Sequence, residues 1–128
     1  MARLILHATG PAIPETVWRR YVCVDEWASW SPQIKAVQAA ERRLTAGMSG
    51  TVESVAGIRA AFVVDAVDHD RRSWAWRVRL GPVRLRLHHG VCTHTRGSTT
   101  SLTMDGPRLA LLAYAPFALL ALRRLVRP

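Results

Sequence analysis

The dipeptide Gly81-Pro82, set between two runs of alternating residues, constrains the fold of this chain more than any other feature. A two-residue hairpin loop with glycine first fits a type II′ turn, whose first position needs a positive φ and whose second has the negative φ that proline supplies. The register of the flanking strands follows. Side chains alternate along a strand, so Leu80 faces Val83, Val78 faces Leu85, Trp76 faces Leu87 and Trp74 faces His89, all on one side. On the other side Arg79 faces Arg84 and Arg77 faces Arg86. One face is thus an apolar wall ending in a Trp-His pair, and the other is a patch of four arginines.

The same punctuation organises the rest of the chain. Arg3 to Ala8 alternates as a first strand, Gly10-Pro11 breaks it, and Pro14 with Glu15 suits the first turn of a helix that runs to Val22. Strands are expected over Ile34 to Glu41, Thr51 to Val55, Arg59 to Val67, Ser73 to Leu80, Val83 to Thr95 and Thr99 to Asp105, with Asp68-His69-Asp70 as a turn. A helix follows Gly106-Pro107. No repeat or linker interrupts this order, and 128 residues suit one domain, residues 1–128, with one core.

Between the first helix and the strands lies Trp27-Ala28-Ser29-Trp30-Ser31-Pro32. Two indoles three residues apart on a short helix, halted at Ser31 by the following proline, make an apolar lid for one end of the sheet. Such a lid closes a ligand cavity.

Composition narrows the classes. A chain 49% hydrophobic and 21% charged is globular rather than disordered. Leu4-Ile5-Leu6 is too brief an apolar run for a secretory signal or anchor, so the expected location is the cytoplasm. Cys23 and Cys92 have no partner spacing of the zinc type, so two free thiols, no metal and no cofactor are expected. The net charge of +9 rests on 18 basic residues, of which Lys35 is the only lysine. A GC-rich genome produces such a composition, yet the charge still attracts acidic partners.

Like charges facing each other destabilise a sheet, so Arg77, Arg79, Arg84 and Arg86 must be solvated or must receive an anion such as an acidic carrier protein. Nucleic acid would want stacking aromatics on the same face, and Trp74 and Trp76 point the other way. Nucleic-acid binding is therefore set aside.

His89 is the leading titratable candidate. Beside Trp74 on the apolar side, its ring could move a proton near neutrality, or it could be a satisfied core residue. Asp65 points outward if Phe62 and Val64 point in, but a bulge would reverse it. Tyr114 and Glu53 are further candidates for a polar group in a pocket. The chain has no nucleophile elbow, no Gly-rich phosphate loop and no glycosidase-like carboxylate pair.

Leu109 to Leu122 is apolar except for Tyr114, with Pro116 in its middle, and at 14 residues it is too short to span a bilayer. A kinked helix over the concave face of the sheet is expected. Its basic ending, Arg123-Arg124 and Arg127, suits a helix C-terminus. Insertion at a membrane surface, or a homodimer contact, are alternatives for the same segment.

The order of elements resembles the helix-grip arrangement of the START-like (Bet v 1-like) superfamily. The local match is to its polyketide cyclase/dehydrase branch, carried by Trp27 to Pro32, Leu44 to Gly50, Val64 to Trp76, His89-Gly90-Val91 with Gly97, and Gly106-Pro107. The resemblance implies an α+β fold: an antiparallel sheet wrapped around a C-terminal helix, with two short helices closing one end. It implies a deep apolar cavity for a lipid, sterol, polyketide or similar ligand. The expected function is a cofactor-independent cyclase or dehydratase of small-molecule biosynthesis. His89 would transfer protons, Asp65 or Tyr114 would orient or relay, and Trp27, Trp30, Phe62, Trp74, Trp76, Val78 and Leu87 would form the walls. The alternative is a non-catalytic carrier of a hydrophobic ligand, at a membrane surface or free of one.

Overall fold

A computed structural model describes all residues, 1–128. Strand β1 (Ala2–Gly10) leads into α1 (Pro14–Val22), a single 3-10 turn (Val24–Glu26) and the one-turn helix α2 (Trp27–Trp30). Six strands follow: β2 (Ile34–Ala39), β3 (Ser49–Ser54), β4 (Arg59–Asp68), β5 (Ser73–Leu80), β6 (Val83–His94) and β7 (Gly97–Gly106), and then helix α3 (Arg108–Leu125). All seven strands form one antiparallel sheet in the order β1-β7-β6-β5-β4-β3-β2. The first strand closes against the last, Ala2 opposite Gly106 and Gly10 opposite Ser98.

The β5–β6 hairpin has the register that its turn chemistry dictates. Leu80 lies opposite Val83, Trp76 opposite Leu87, Trp74 opposite His89, Arg79 opposite Arg84 and Arg77 opposite Arg86. Gly81 takes φ +56, the positive value its turn position requires. Burial alternates accordingly. Trp74, Trp76, Leu87 and His89 are buried while Arg77, Arg79, Arg84 and Arg86 are exposed.

α1 begins with Pro14 at its first turn, where a missing N–H costs nothing, and buries Val17, Trp18, Tyr21 and Val22 along one side. Its last carbonyls would be orphans. The lid indoles satisfy two of them: Trp27 Nε1 donates to Tyr21 O at 2.8 Å and Trp30 Nε1 donates to Arg20 O at 2.9 Å. The short helix α2 is therefore held by tertiary bonds that its own single turn could not supply.

α3 is longer than the apolar run suggested and continues through Pro116 without a break, from Arg108 to Leu125. Pro116 removes the hydrogen bond that the Leu112 carbonyl would accept. Leu112 is on the solvent side, so that carbonyl is not left dry. The helix buries Leu111, Ala118, Ala121, Leu122 and Leu125 against the concave face. Its far end is tied down: Ala12 N–H donates to Val126 O, and Arg20 Nη1 donates to the carbonyls of Leu125 and Arg127, both at 2.7 Å. Gly10 permits this closeness, since a Cβ there would lie 2.4 Å from Val126 O.

Candidate functional site

The concave face gathers Trp27 and Trp30 from α2, Trp74 and Trp76 from β5, His89 from β6 and Tyr21 from α1. Trp27 stacks on Trp74 with ring centroids 5.6 Å apart, and Trp74 stacks on His89 at 4.6 Å and an interplanar angle of 10°. Trp76 closes on both Trp74 and Trp27, at 5.1 and 5.3 Å. Such dense aromatic packing leaves little room. The enclosed space between this wall and α3 is about 20 Å³, bounded also by Ser31, Ile34, Leu102, Tyr114, Ala118, Ala121 and Leu122. The deep cavity that the resemblance implies is thus closed down here to about the volume of one water.

Of the expected wall residues, Trp27, Trp30, Trp74 and Trp76 line this space. Phe62 and Leu87 are buried in the core behind it, and Val78 is half-buried against that core. Helix residues Ala118 and Ala121 were not anticipated. Nothing in an unbroken apolar run says which of its alanines face the sheet until the helix axis is placed.

His89 belongs to a buried hydrogen-bonded chain. Trp76 Nε1 donates to His89 Nε2 at 3.1 Å. An indole N–H can only donate, so Nε2 is the bare nitrogen and the ring proton sits on Nδ1. Nδ1–H then meets Tyr21 Oη at 3.2 Å, Tyr21 donates to Thr100 Oγ1 at 2.7 Å, and Thr100 donates to Gly90 O at 3.2 Å. Each donor has one acceptor, and the chain runs in one direction. Burial, with a smaller contribution from His88, pushes the His89 pKa down to about 3. Burial likewise raises the Tyr21 phenol above its ordinary value, against the Thr100 hydrogen bond. Of the two readings His89 allowed, the geometry is that of a satisfied core residue: its basic nitrogen is engaged and it stays neutral. Tyr21 and Thr100 were missed, although the 17, 18, 21, 22 spacing of apolar residues on α1 already points Tyr21 inward.

Tyr114 lies at the edge of the enclosed space. Gln33 Nε2 donates to its hydroxyl oxygen at 2.7 Å, and burial pushes the phenol pKa up to about 12. Its own proton is therefore uncommitted and stays in place at neutral pH. Trp74 holds the other uncommitted donor. The indoles of Trp18, Trp27, Trp30 and Trp76 all find acceptors, whereas Trp74 Nε1 is buried without one.

Asp65 requires a correction. A bulge does occur between Val64 and Ala66, but Asp65 is itself the extra residue. Asp65 and Ala66 both stay on the outer face while Val67 turns in, and Asp65 accepts from Arg77 Nε at 2.9 Å. It touches neither His89 nor Tyr114. Glu53 is likewise bound to surface cations, Lys35 and Arg59.

The four arginines share the outer face as the register requires, but two have acidic neighbours. Arg77 pairs with Asp65, and Arg86 lies across from Asp105. The hydrogen bond from Arg3, aided by the charge of Arg86, holds the Asp105 carboxyl below its usual range. Arg79 and Arg84 face each other with no carboxylate partner.

Residues 1–127 match the family model described as polyketide cyclase / dehydrase and lipid transport. No curated protein sequence matches the chain significantly. Similar solved structures include a protein from Nitrosospira multiformis, with a TM-score of 0.81 at 13% identity over 98% of this chain and 94% of that one. Ginseng major latex-like protein 151 from Panax ginseng aligns with a TM-score of 0.78 at 15% identity over 96% and 93% of the two chains. A protein from Chromobacterium violaceum gives 0.75 at 15% identity over 98% and 96%. These likenesses establish the helix-grip fold.

Proposed function

We propose that this chain, which belongs to the polyketide cyclase / dehydrase and lipid transport family, binds a largely apolar ligand carrying a carbonyl or similar oxygen acceptor between α3 and the indole wall. The observation that carries the reading is Trp74: its N–H is buried and unpaired in a lining that is mostly apolar. A buried donor left without a partner costs about 1–3 kcal/mol, which a ligand oxygen would recover.

Ligand sites are commonly about 300 Å³ or larger, so binding requires the wall and α3 to part. The N-terminal half of α3 is the half that can move. The carbonyls past Leu122 are tied to Ala12 and Arg20, whereas Pro116 has already removed one bond from the helix ladder upstream.

Binding without chemistry is favoured over turnover, because no uncommitted basic group faces the space. His89 has its bare nitrogen occupied and Asp65 is on the opposite face. A cyclase or dehydratase role keeps one observation in its support, the free Tyr114 proton, which could polarise a ligand carbonyl beside Trp74. If the ligand arrives tethered to an acidic carrier protein, Arg79 and Arg84 are the open cations that would meet it.

Native mass spectrometry before and after incubation with a hydrophobic metabolite extract tests the reading. A captured small molecule, accompanied by a shift in tryptophan emission, is the expected result. No bound mass in either sample, with unchanged emission, would refute it. Tyr114→Phe then separates the two roles. A carrier loses little affinity, whereas an enzyme of the carbonyl-polarising kind loses turnover of its captured ligand while still binding it.

A further inference from the structure

The outward side of α3 is as apolar as its inward side. Leu109, Leu112, Phe117 and Leu120 are 82%, 55%, 51% and 41% exposed, and helical spacing sets them on one stripe together with the exposed Pro116. A surface helix ordinarily turns polar residues to this side. Here the polar residues stand only at the ends. Arg108 opens the helix, Arg123 continues the line of the stripe beyond Leu120, Arg127 follows just past the helix end with its guanidinium donating to Ser29 O, and no Asp or Glu occurs after Asp105. None of these arginines joins an ion pair with a carboxylate, although eight such pairs form elsewhere in the molecule.

We propose that this stripe docks on an anionic lipid surface, its leucines and Phe117 entering the headgroup boundary and the arginines meeting the headgroup charge. No helix of the chain is long and apolar enough to cross a membrane, so α3 lies along the surface rather than through it. A second copy of the chain is the competing occupant, and charge disfavours it. Antiparallel pairing of two stripes about a two-fold axis brings the Arg108 end of one copy toward the Arg123 end of the other, twice over, with no acidic residue on either helix to offset them. Each copy also carries +9 overall. An anionic surface turns the same arginines into attractive contacts, each worth about a fivefold gain in binding.

Co-sedimentation of the full chain with vesicles tests this. One set is phosphatidylcholine alone, and the other replaces roughly a third of it with phosphatidylglycerol. Binding to the anionic set at least about tenfold tighter, weakening as salt shortens the screening length, is expected. Leu112→Gln with Phe117→Gln should lower that binding by at least about tenfold, since both side chains are half-exposed and their loss leaves the core intact. Arg108→Gln with Arg123→Gln, a second variant outside the core, should lower it about 25-fold.

Three results would each overturn the proposal: no sedimentation of the intact protein with anionic vesicles; sedimentation that the leucine and phenylalanine substitutions leave unchanged; or a doubled mass in solution that the same substitutions reduce to the monomer. The last would assign the stripe to a second copy. The stripe does not line the enclosed space, so ligand capture by these variants should match that of the parent. Failure of ligand capture would therefore leave the vesicle result standing.

Discussion

Replacing His89 by Gln should remove the loss of stability that this buried ring imposes on the protein below neutral pH. Folded His89 titrates at about 3, held down first by burial and then by His88. An unfolded histidine titrates near 6.5. Between those values the unfolded chain binds a proton that the folded chain refuses, so the stability tied to His89 is complete above about pH 6.5. It declines as pH falls and levels off near pH 3. The loss amounts to about 2 kcal/mol at pH 5 and about 3 kcal/mol at pH 4, a large share of the few kcal/mol that hold a small domain together. Glutamine can accept from Trp76 Nε1 and donate to Tyr21 Oη, so it keeps the direction of the buried chain while removing the titration. At pH 8 the variant should be less stable by about 1–2 kcal/mol, because the ring stacked on Trp74 is gone. Near pH 5 the two proteins should be about equally stable. Urea unfolding followed by tryptophan fluorescence at several pH values measures both curves, and the carboxylates common to both proteins cancel in the difference. Parallel curves between pH 4 and 6.5 would refute the assignment of His89 as a buried neutral ring.

Three further outcomes are expected. Trp76→Phe leaves His89 Nε2 buried without a donor and should cost about 1–3 kcal/mol at pH 8 in urea unfolding; a smaller loss would mean that Nε2 is not the bare nitrogen. Gly10→Ala places a Cβ 2.4 Å from the Val126 carbonyl, so the end of α3 must shift, costing at least about 2 kcal/mol and speeding amide exchange around Ala12. Asp65→Asn breaks only an exposed pair with Arg77, and it should change stability by less than about 1 kcal/mol and leave ligand capture unaltered. A loss of capture there would restore Asp65 to the binding machinery.

Much of the sheet was legible residue by residue. The β5–β6 register followed from one Gly-Pro turn and the period-two pattern around it, and every expected pair from Leu80–Val83 to Trp74–His89 is present. Strand ends were less legible. β7 extends to Gly106 because β1 pairs with it from Ser98 to Gly106, a long-range contact that local pattern does not encode, while Gly97 is added by its pairing with His94 of β6. The bulge beside Asp65 was foreseen as a device, but not which residue would be extra, and that single choice keeps the carboxylate outside. α3 read as a short helix kinked at Pro116, because proline lacks a donor. It runs on because the carbonyl it deprives faces solvent and the turns beyond are anchored to Ala12 and Arg20.

Sequence by itself determined the elements, the hairpin register and the separation of an aromatic face from an arginine face, since turn preference and strand alternation are properties of neighbouring residues. Only the tertiary structure decided what those faces do. It set Tyr21, 68 residues away, against His89, fixing the tautomer and the neutral state of the ring that looked most reactive. It packed four indoles so closely that the expected cavity shrank to about 20 Å³. It also turned the outer side of α3 to solvent. Hydrogen-bond partners, burial and free volume arise from groups brought together across the chain, and no local pattern carries that information.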